Sequence, residues 1–379
     1  MAKREIGLAI VGGGIGGLAL AAGLLHRGLN VEIYEAASEF AEIGAGVAFG
    51  PNSVSAMSKI APGVLEAYIR QATENGDPKE RATWFDFHHG VGNMEQIHKV
   101  TPRNAEIGLS SVHRAHFLDG LAALVPRDIA HFGKRLTSLE ELPSGRIKLF
   151  FDDKTTAEAD AVIGCDGVKS KVRPIVLGPE SNNIAPCYSN KYAYRGLVPM
   201  DKAAKVLGDY YARNGQMYLG LNGHVLTFPI EHGKTMNVVA FQTGTGSWEQ
   251  ERWVLPTPKE HRMKDFAEWN EKVQHILNVS YPPPLPPSLL LQSTTEHNNN
   301  YAHGLIKNNF YPCVDYGRVG RVGPVRSPSR RDILQRANCP LRRRSTCLDT
   351  APGCWCWPGT RRCVHSFEPT RRRLCSHSC

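Results

Sequence analysis

The stretch that decides the fold is IGLAIVGGGIGGLALAAGLLHRGLNVEIYE, residues 6 to 35 of this 379-residue chain. It begins with a short apolar run that is typical of a buried parallel strand. A glycine-rich turn follows, and then a segment of strong helix formers that ends at Gly28. A second strand is predicted at residues 31–35. Strand, turn, helix and strand in this order predict a dinucleotide-binding unit.

Three glycines of the turn, Gly12, Gly14 and Gly17, fit the pattern G-x-G-x-x-G. The first permits a tight turn, the second lets backbone approach a pyrophosphate, and the third lets helix and strand pack closely. The free N–H groups at the start of the helix favour the same anion. Glu35 lies 18 residues beyond Gly17, where a carboxylate can bind both hydroxyls of a ribose. This carboxylate disfavours a 2′-phosphate and leaves FAD or NAD as the nucleotide.

The uncharged apolar run at residues 6–25 is also long enough for a membrane span or a signal peptide. Its central glycines and the nucleotide-binding pattern that continues after it favour a soluble fold, so we expect no stable membrane insertion. Only three of the ten cysteines lie before residue 318. Because such scarcity is typical of a chain without a disulfide framework, we predict an intracellular, cytoplasmic protein.

Positive charge is concentrated at one end of the chain. Residues 318–379 contain 14 Arg, no Lys and three acidic residues, a net charge of +11, whereas the preceding 317 residues carry −2. The nearly neutral body predicts no nucleic-acid partner. For the tail, nucleic-acid binding through arginine and metal binding through its seven cysteines stay open as alternatives, although it contains no pair of C-x-x-C units.

Three further phrases follow the glycine-rich turn: EIGAGVAFGPNSV at 42–54, HRAHFLD at 113–119 and DAVIGCDGVKSKVR at 160–173. Together they resemble, in order and spacing, the group A flavoprotein monooxygenases, specifically the salicylate hydroxylase-like enzymes and their fungal secondary-metabolism relatives. The resemblance covers about residues 5–280. It implies an α/β fold: a Rossmann-like FAD-binding domain of the GR2 type with an inserted antiparallel-sheet substrate domain.

The resemblance assigns the first cofactor contacts. Gly12, Gly14 and Gly17 would hold the FAD pyrophosphate, and Glu35 would bind the adenosine ribose. NAD remains the alternative nucleotide that the residues alone allow.

The remaining cofactor contacts come from the three later phrases. Gly46 and Ala48 would let the backbone pass close to the isoalloxazine, and Arg114 would face the ribityl and phosphate region. Asp166 and Gly167 match an Asp-Gly motif that this family associates with FAD and the reduced nicotinamide. The alternatives are that Arg114 is a surface helix residue and that Asp166–Gly167 is an ordinary turn.

Residues 191–200, 215–233 and 236–244 alternate apolar and polar side chains between turn signals. This pattern predicts antiparallel strands. The resemblance implies that such a sheet lies over the flavin and seats the aromatic substrate.

Arg195 is the candidate catalytic-site residue of this sheet, as an anchor for the substrate. A phenolate or carboxylate needs a cation, and a guanidinium clamps it in a fixed orientation. Tyr194 and Phe228 are candidate walls of the substrate pocket. Alternatively, Arg195 belongs to a surface ion pair and the two aromatic residues are plain core.

The chain divides into four predicted spans. They are the main part of the FAD-binding domain at 1–180, the substrate sheet at 181–264, a return segment to the FAD-binding domain at 265–317, and an Arg- and Cys-rich tail, expected to be disordered, at 318–379. Within the return segment, residues 265–277 predict a single packing helix. Its apolar face consists of Phe266, Trp269, Val273, Ile276 and Leu277.

The resemblance also implies a second flavin signature, a strand G-R-V-x-L-x-G followed at once by a ribityl-binding aspartate. The stretch GRVGRVGP at 317–324 matches the strand in part, with Arg321 at an apolar site and Pro324 at the aspartate site. Proline has neither a carboxylate nor an N–H. Because the tail is rich in Arg, Cys, Pro and Ser and lacks Lys, we interpret it as the product of a reading frame that shifts between residues 280 and 320.

The function implied by the resemblance is FAD-dependent hydroxylation of a phenolic or salicylate-like substrate in fungal secondary metabolism. NADH or NADPH would be the reductant, O₂ the oxygen source, and no metal is required. One alternative is a truncated, catalytically impaired flavoprotein-like product, because the second signature is broken. Another is an NAD-dependent dehydrogenase, which the Asp166 motif disfavours.

Overall fold

The computed structural model describes residues 6–40, 45–181, 184–244, 254–280 and 305–308. All of them belong to one compact unit, Met1–Val325. The predictions for the second flavin signature, for Pro324 and for the Arg- and Cys-rich tail lie outside the described residues.

Strands and helices are both present along the described chain. The strands are β1 (Gly7–Val11), β2 (Asn30–Tyr34), β3 (Gly46–Phe49), β4 (Thr73–Glu74), β5 (Phe85–His89), β6 (Gln96–Val100), β7 (Ser110–His113), β8 (Ala130–His131), β9 (Leu136–Glu141), β10 (Ile147–Phe151), β11 (Thr156–Ala159), β12 (Ala161–Gly164), β13 (Lys191–Pro199), β14 (Gln216–Gly220), β15 (Gly223–Ile230), β16 (Thr235–Thr243), β17 (Val254–Thr257) and β18 (Leu305–Asn308). The helices are α1 (Ile15–Leu25), α2 (Pro51–Ile60), α3 (Pro62–Ile69), α4 (Arg114–Ala122), α5 (Val172–Leu177), α6 (Met200–Leu207), α7 (Asp209–Arg213), α8 (Lys259–Asp265) and α9 (Glu271–Val279).

A four-stranded sheet in the order β12-β1-β2-β8 forms the nucleotide-binding half. Its neighbouring strands are all parallel. Helix α1 returns the chain from β1 to β2 and buries Leu18 and Ala21 against Ile10 and Ile33. The apolar run at residues 6–25 is therefore divided between a buried strand and a helix of 11 residues. No helix within the described ranges is both long and apolar enough to cross a membrane.

An eight-stranded sheet in the order β17-β18-β13-β16-β15-β14-β5-β6 forms the second half. Its neighbouring strands are antiparallel except β14 and β5, which are parallel. The predicted strands at 191–200, 215–233 and 236–244 correspond to β13 to β16. The predicted α/β class, with a parallel nucleotide-binding sheet and a separate antiparallel sheet, is confirmed.

The eight-stranded sheet draws on more of the chain than the sequence pattern indicated. Strands β5 and β6 come from residues 85–100, which lie inside the predicted FAD-binding span 1–180. Strand β18, at Leu305–Asn308, pairs with β13 although it belongs to the predicted return segment. The four predicted spans stay predictions, and their boundaries do not coincide with the edges of this sheet.

The prediction of one helix over 265–277 was wrong. Helix α8 ends at Asp265, and α9 begins at Glu271 because the Asn270 side chain accepts a hydrogen bond from the Lys272 N–H at 2.9 Å. The predicted apolar face is nevertheless buried in a single core beneath the eight-stranded sheet. The turn after α8 and the helix α9 thus bury the same side chains that one straight helix would have buried.

Candidate active site

The glycine-rich loop leaves no room for side chains at two of its positions. Gly12 has a φ of +103°, and a Cβ atom there would collide with the carbonyl oxygen of Cys165 at the end of β12. A Cβ atom at Gly17 would collide with the carbonyl oxygen of Gly12. The loop is therefore pressed between the start of α1 and the neighbouring strand, as the sequence pattern predicted.

The start of helix α1 is open to an anion. Gly14 is its N-cap residue, and no side chain of the described residues caps it. A Cβ atom placed on Gly16 would meet no atom within 4 Å, so the outer side of the first turn faces open space. Uncapped N–H groups at a helix start form an anion-binding site. These residues fit a pyrophosphate.

Glu35 is fixed beside this loop, at the end of β2. Its Oε2 accepts a hydrogen bond from the Gly13 N–H at 2.6 Å, and its Oε1 accepts one from the Ala37 N–H at 2.8 Å. A carboxylate has about four lone-pair sites, so acceptor capacity remains for ribose hydroxyls. The observed placement fits the predicted role of Glu35.

Asp166 closes a loop next to the glycines. Its Oδ1 accepts a hydrogen bond from the Ser170 hydroxyl at 2.5 Å, and its Oδ2 accepts one from the Lys171 N–H at 2.6 Å. Gly167 has a φ of +73°, which lets the chain turn there. The structure thus gives Asp166 a structural task at the start of α5. Its contact with FAD or nicotinamide stays a prediction.

Cys165 joins the two loops. Its N–H donates a hydrogen bond to the Val11 carbonyl at 2.7 Å, which extends the pairing of β1 and β12. Burial, together with the nearby charge of Asp166, raises the pKa of the Cys165 thiol to about 11. The thiol beside the candidate pyrophosphate site is therefore neutral at physiological pH.

Gly46 and Arg114 come together at a second junction. Gly46 on β3 lies opposite His113 on β7, and the Arg114 N–H donates to the carbonyl of Ala45 at 3.0 Å. Arg114 is half-buried at the first position of α4. This arrangement brings the predicted cofactor residues Gly46 and Arg114 next to each other.

Gly46 also contacts the eight-stranded sheet. A Cβ atom there would lie 2.8 Å from the Asn237 side chain and 2.9 Å from Cγ2 of Ile230. The Gly46 N–H donates to Asn237 Oδ1 at 2.9 Å. The absence of a side chain at Gly46 is thus explained by packing between β3 and β16. Its predicted proximity to the isoalloxazine stays a prediction.

Asn237 is a residue of this junction to which the sequence motifs assigned no role. It is fully buried on β16, and its Nδ2 has no hydrogen-bond partner among the described residues. The signal available in the sequence was an amide near the start of the largely apolar strand TMNVVAFQT, which also contains a second amide, Gln242. A buried amide needs polar partners, so such a residue marks a point where two structural elements meet.

The eight-stranded sheet places Arg195 and Phe228 on the same face. Arg195 lies opposite Val239, and Phe228 lies opposite Asn237, the residue that bonds to Gly46. Ala48 of β3 packs against the apolar cluster that contains Phe228. This face is therefore turned toward the strand that carries Gly46 and Ala48.

Tyr194 lies on the opposite face of the same strand. Its side chain is only 1% exposed, packs with Phe266 at 6.3 Å between ring centroids, and donates a hydrogen bond to Asp265 Oδ2 at 2.5 Å. Burial and the hydrogen bond to Asp265 raise the pKa of Tyr194. The structure does not bring Tyr194 together with Arg195 and Phe228.

A loop without side chains, an open helix start and a fixed carboxylate define a dinucleotide-binding α/β protein. Residues 5–181 match the family described as FAD binding domain. An FAD-dependent monooxygenase of Aspergillus niger, orf3, is 37% identical over 316 residues, which cover 81% of this chain and 70% of the relative. The chain therefore belongs to the family of FAD-dependent monooxygenases. Both the predicted family and FAD as its cofactor are confirmed.

Two further relatives and one solved structure are similar. The chain is 42% identical over 281 residues to 6-methylsalicylate 1-monooxygenase atA of Aspergillus terreus, which covers 73% of this chain and 63% of the relative. It is 37% identical over 322 residues to a salicylate hydroxylase of Pseudomonas putida, at 81% and 71% coverage. A solved salicylate hydroxylase substrate complex superposes with a TM-score of 0.64 at 29% identity, covering 82% of this chain and 69% of that chain. The chain thus spans 63% of the length of the Aspergillus terreus relative, less than two thirds.

Proposed function

We propose that this chain hydroxylates a phenolic or salicylate-like aromatic substrate, using FAD with NADH or NADPH and O₂, in secondary metabolism. This substrate class is supported by the similarity to three relatives: a 6-methylsalicylate 1-monooxygenase, a salicylate hydroxylase and an FAD-dependent monooxygenase. A cytoplasmic location and the division into an FAD-binding span and a substrate span belong to the same proposal.

One observation carries the proposal: Arg195 shares a sheet face with apolar side chains, and that face is turned toward the cofactor fold. Leu226 and Val239 lie beside Arg195 across the sheet, and Phe228 follows two residues further along β15. A guanidinium binds a carboxylate or phenolate through two parallel hydrogen bonds. The apolar neighbours would then pack against the aromatic ring and exclude water from it.

The cofactor residues would hold FAD in a defined order along the parallel sheet. The glycine loop and the start of α1 would bind the pyrophosphate, and Glu35 would accept hydrogen bonds from the ribose hydroxyls. Arg114 would contribute a positive charge next to Gly46, where β3 meets the substrate sheet. When bound, the flavin supplies the redox and oxygen-transfer chemistry, and the protein supplies binding and orientation.

A second candidate is an impaired flavoprotein that has lost part of its cofactor site. The sequence observation that favours it is Pro324, which stands where the resemblance implies a ribityl-binding aspartate. Such a protein would keep the glycine loop and the substrate sheet but would hold FAD weakly.

The visible spectrum of the purified chain, followed by NADH oxidation with and without salicylate-like phenols, tests both candidates. Bound flavin, faster NADH oxidation with a phenol and a product heavier by one oxygen atom support hydroxylation. A colourless protein that stays colourless with excess FAD supports the impaired product. A colourless protein that binds NAD and reduces it with an alcohol or hydroxy acid would contradict both and favour a dehydrogenase.

A further inference from the structure

Three metal-ligating side chains converge where α4 approaches the eight-stranded sheet: His113, His116 and Glu231. One ligand atom from each lies within 4.8 Å of the other two. His113 ends β7, His116 lies in the first turn of α4, and Glu231 follows the last residue of β15. We propose that these side chains form a binding site for a divalent transition-metal ion, with Zn²⁺ as the best fit. This inference does not rest on the proposed function.

The composition of the cluster favours Zn²⁺. Two imidazole nitrogens and one carboxylate oxygen are a set of three ligands that Zn²⁺ accepts, with water in the fourth tetrahedral position. For metal–ligand distances of about 2.0–2.1 Å, the ligand atoms would lie about 3.3 Å apart. The observed spread of up to 4.8 Å therefore requires a small closing movement. His116 is exposed, so its side chain has room to make this movement.

His113 has ring atoms that need a partner. Its Nδ1 is buried and has no hydrogen-bond partner among the described residues. Its ring lies 4.2 Å from the ring of His116, centroid to centroid, with an angle of 33° between the planes. Buried polar atoms are nearly always paired, so an unpaired one points to a missing ligand. A metal ion bound to one ring nitrogen, with a water on the other, would satisfy the imidazole.

Glu231 is held in position by its surroundings. The Thr235 hydroxyl donates a hydrogen bond to Glu231 Oε2 at 2.5 Å, which leaves Oε1 as the candidate ligand atom. Hydrogen bonds of this kind orient ligand carboxylates in metal sites. The carboxylate is therefore oriented before any metal binds.

The backbone at Glu231 is strained. Glu231, His232 and Gly233 have φ values of 53°, 54° and 80°, and only the glycine adopts such angles readily. The turn is fastened by a hydrogen bond from the His232 N–H to the Thr73 hydroxyl at 2.8 Å. Non-glycine residues in left-handed conformations cluster at functional sites and ligand clamps. At this turn the strained backbone places Glu231 next to the two histidines of the β7–α4 segment.

A metal ion here would connect the β7–α4 segment to the turn between β15 and β16. The two segments are already joined by the Ser111 hydroxyl, which donates to the Pro229 carbonyl at 2.5 Å. The site would therefore strengthen an existing contact between the three-stranded sheet β3-β7-β4 and the eight-stranded sheet. It contributes no step to the hydroxylation, for which the sequence predicts no metal requirement.

The test is a metal titration of the tag-free full chain after removal of metals with EDTA. The thiols are first capped with N-ethylmaleimide so that the cysteine-rich tail cannot bind the ion. We expect one equivalent of Zn²⁺ per chain to remain after gel filtration, as measured by inductively coupled plasma mass spectrometry. Co²⁺ in its place should give the visible absorption of a tetrahedral nitrogen and oxygen site.

Two ligand variants and one control make the result specific. His116→Gln and Glu231→Gln should each weaken Zn²⁺ binding at least about tenfold, since even outer partners of metal ligands have effects of that size. His275→Gln should bind like the unaltered chain, because His275 has an exposed Glu271 partner at 3.7 Å but no third ligand among the described residues. The proposal is overturned if the unaltered chain retains no metal, or if both ligand variants retain as much as the control. His116 is exposed, so its variant should fold normally, which circular dichroism checks.

Discussion

The glycine loop of the parallel sheet and the strand β13 of the eight-stranded sheet encode their candidate sites in opposite ways. In the loop the backbone itself forms the site, and a side chain at Gly12 or Gly17 would collide with a carbonyl oxygen. On β13 the side chains form the site, and neighbouring residues have unrelated tasks. Arg195 faces the cofactor fold, whereas Tyr194 packs against the helices behind the sheet.

This difference explains which functional residues a sequence reveals. A site formed by the backbone requires glycines at fixed spacing, and this spacing is recognisable in the sequence as a motif. A side-chain site on a strand depends on which of two faces is turned toward the ligand, and a shift of one residue exchanges the faces. The alternation of β13 is visible in the sequence, but the direction of each face is set by long-range packing.

The largest loss of FAD binding and of stability is expected for substitutions in the glycine loop. Gly17→Ala should prevent FAD retention and destabilise the fold, because its Cβ would collide with the Gly12 carbonyl and overpacking costs about 1–3 kcal/mol. Gly16→Ala is the matched control one residue earlier, where a Cβ meets no atom within 4 Å. The control should fold normally and gain up to about 1 kcal/mol of helix stability. Flavin absorbance per protein and thermal unfolding measure both effects.

Equal flavin retention in these two alanine variants would contradict the conclusion that the backbone of the loop forms the cofactor site. It would mean that the loop relaxes to accept a side chain and that its glycines are not required by close approach. Loss of flavin in both variants would instead indicate that the cofactor covers Gly16 directly.

The next largest effect, a loss of catalytic efficiency, is expected for Arg195 on the eight-stranded sheet. Arg195→Ala should lower kcat/KM for a salicylate-like substrate by roughly 30- to 5000-fold, because losing one partner of a buried charge pair costs about 2–5 kcal/mol. Arg195→Lys keeps the charge but loses the two-point geometry, so its loss should be smaller. Steady-state NADH oxidation measures both. Arg135→Ala, at a 65% exposed side chain, is the control and should change nothing.

If Arg195→Ala raised KM no more than the Arg135→Ala control, Arg195 would not anchor the substrate. The sheet face would then serve only as packing against β3. A loss of flavin in Arg195→Ala, with unchanged substrate binding once FAD is restored, would move Arg195 from the substrate to the cofactor.

Local patterns predicted the β1–α1–β2 unit and the strands β13 to β16, because each depends on residues close in sequence. The flavin was predicted from the family resemblance, since the residues alone also allowed NAD. The hairpin of β5 and β6 was not assigned to the substrate sheet, since its pairing with β14 joins residues 85–89 to residues 216–220. The break between α8 and α9 depends on the Asn270 cap. It was missed because the spacing of the five apolar residues around it is that of one continuous helix. The role of Asn237 depends on Gly46, 191 residues earlier.

A smaller loss, of stability rather than of substrate binding, is expected for the opposite face of β13. Tyr194→Phe should lower the free energy of unfolding by about 1–2 kcal/mol, because it removes the hydrogen bond to the Asp265 carboxylate while keeping the ring packed. It should leave KM for the aromatic substrate unchanged, since the hydroxyl lies behind the sheet. Chemical denaturation and steady-state kinetics measure the two quantities. A raised KM with unchanged stability would restore Tyr194 as a wall of the substrate pocket.

At neutral pH the smallest effect concerns Cys165, the thiol between the two loops of the cofactor site. Burial raises its pKa in the folded chain to about 11, above the value of about 8.5 expected for an unfolded cysteine. Between these two pH values the unfolded chain has lost the proton that the folded chain still holds, so stability should fall as pH rises. The difference in unfolding free energy between the unaltered chain and Cys165→Ala isolates this contribution from the tyrosines that also titrate at high pH. A difference that stays constant from pH 8 to 10 would show that solvent reaches the thiol, and that the packing around Gly12 and Gly17 is looser than their contacts with the neighbouring carbonyls indicate.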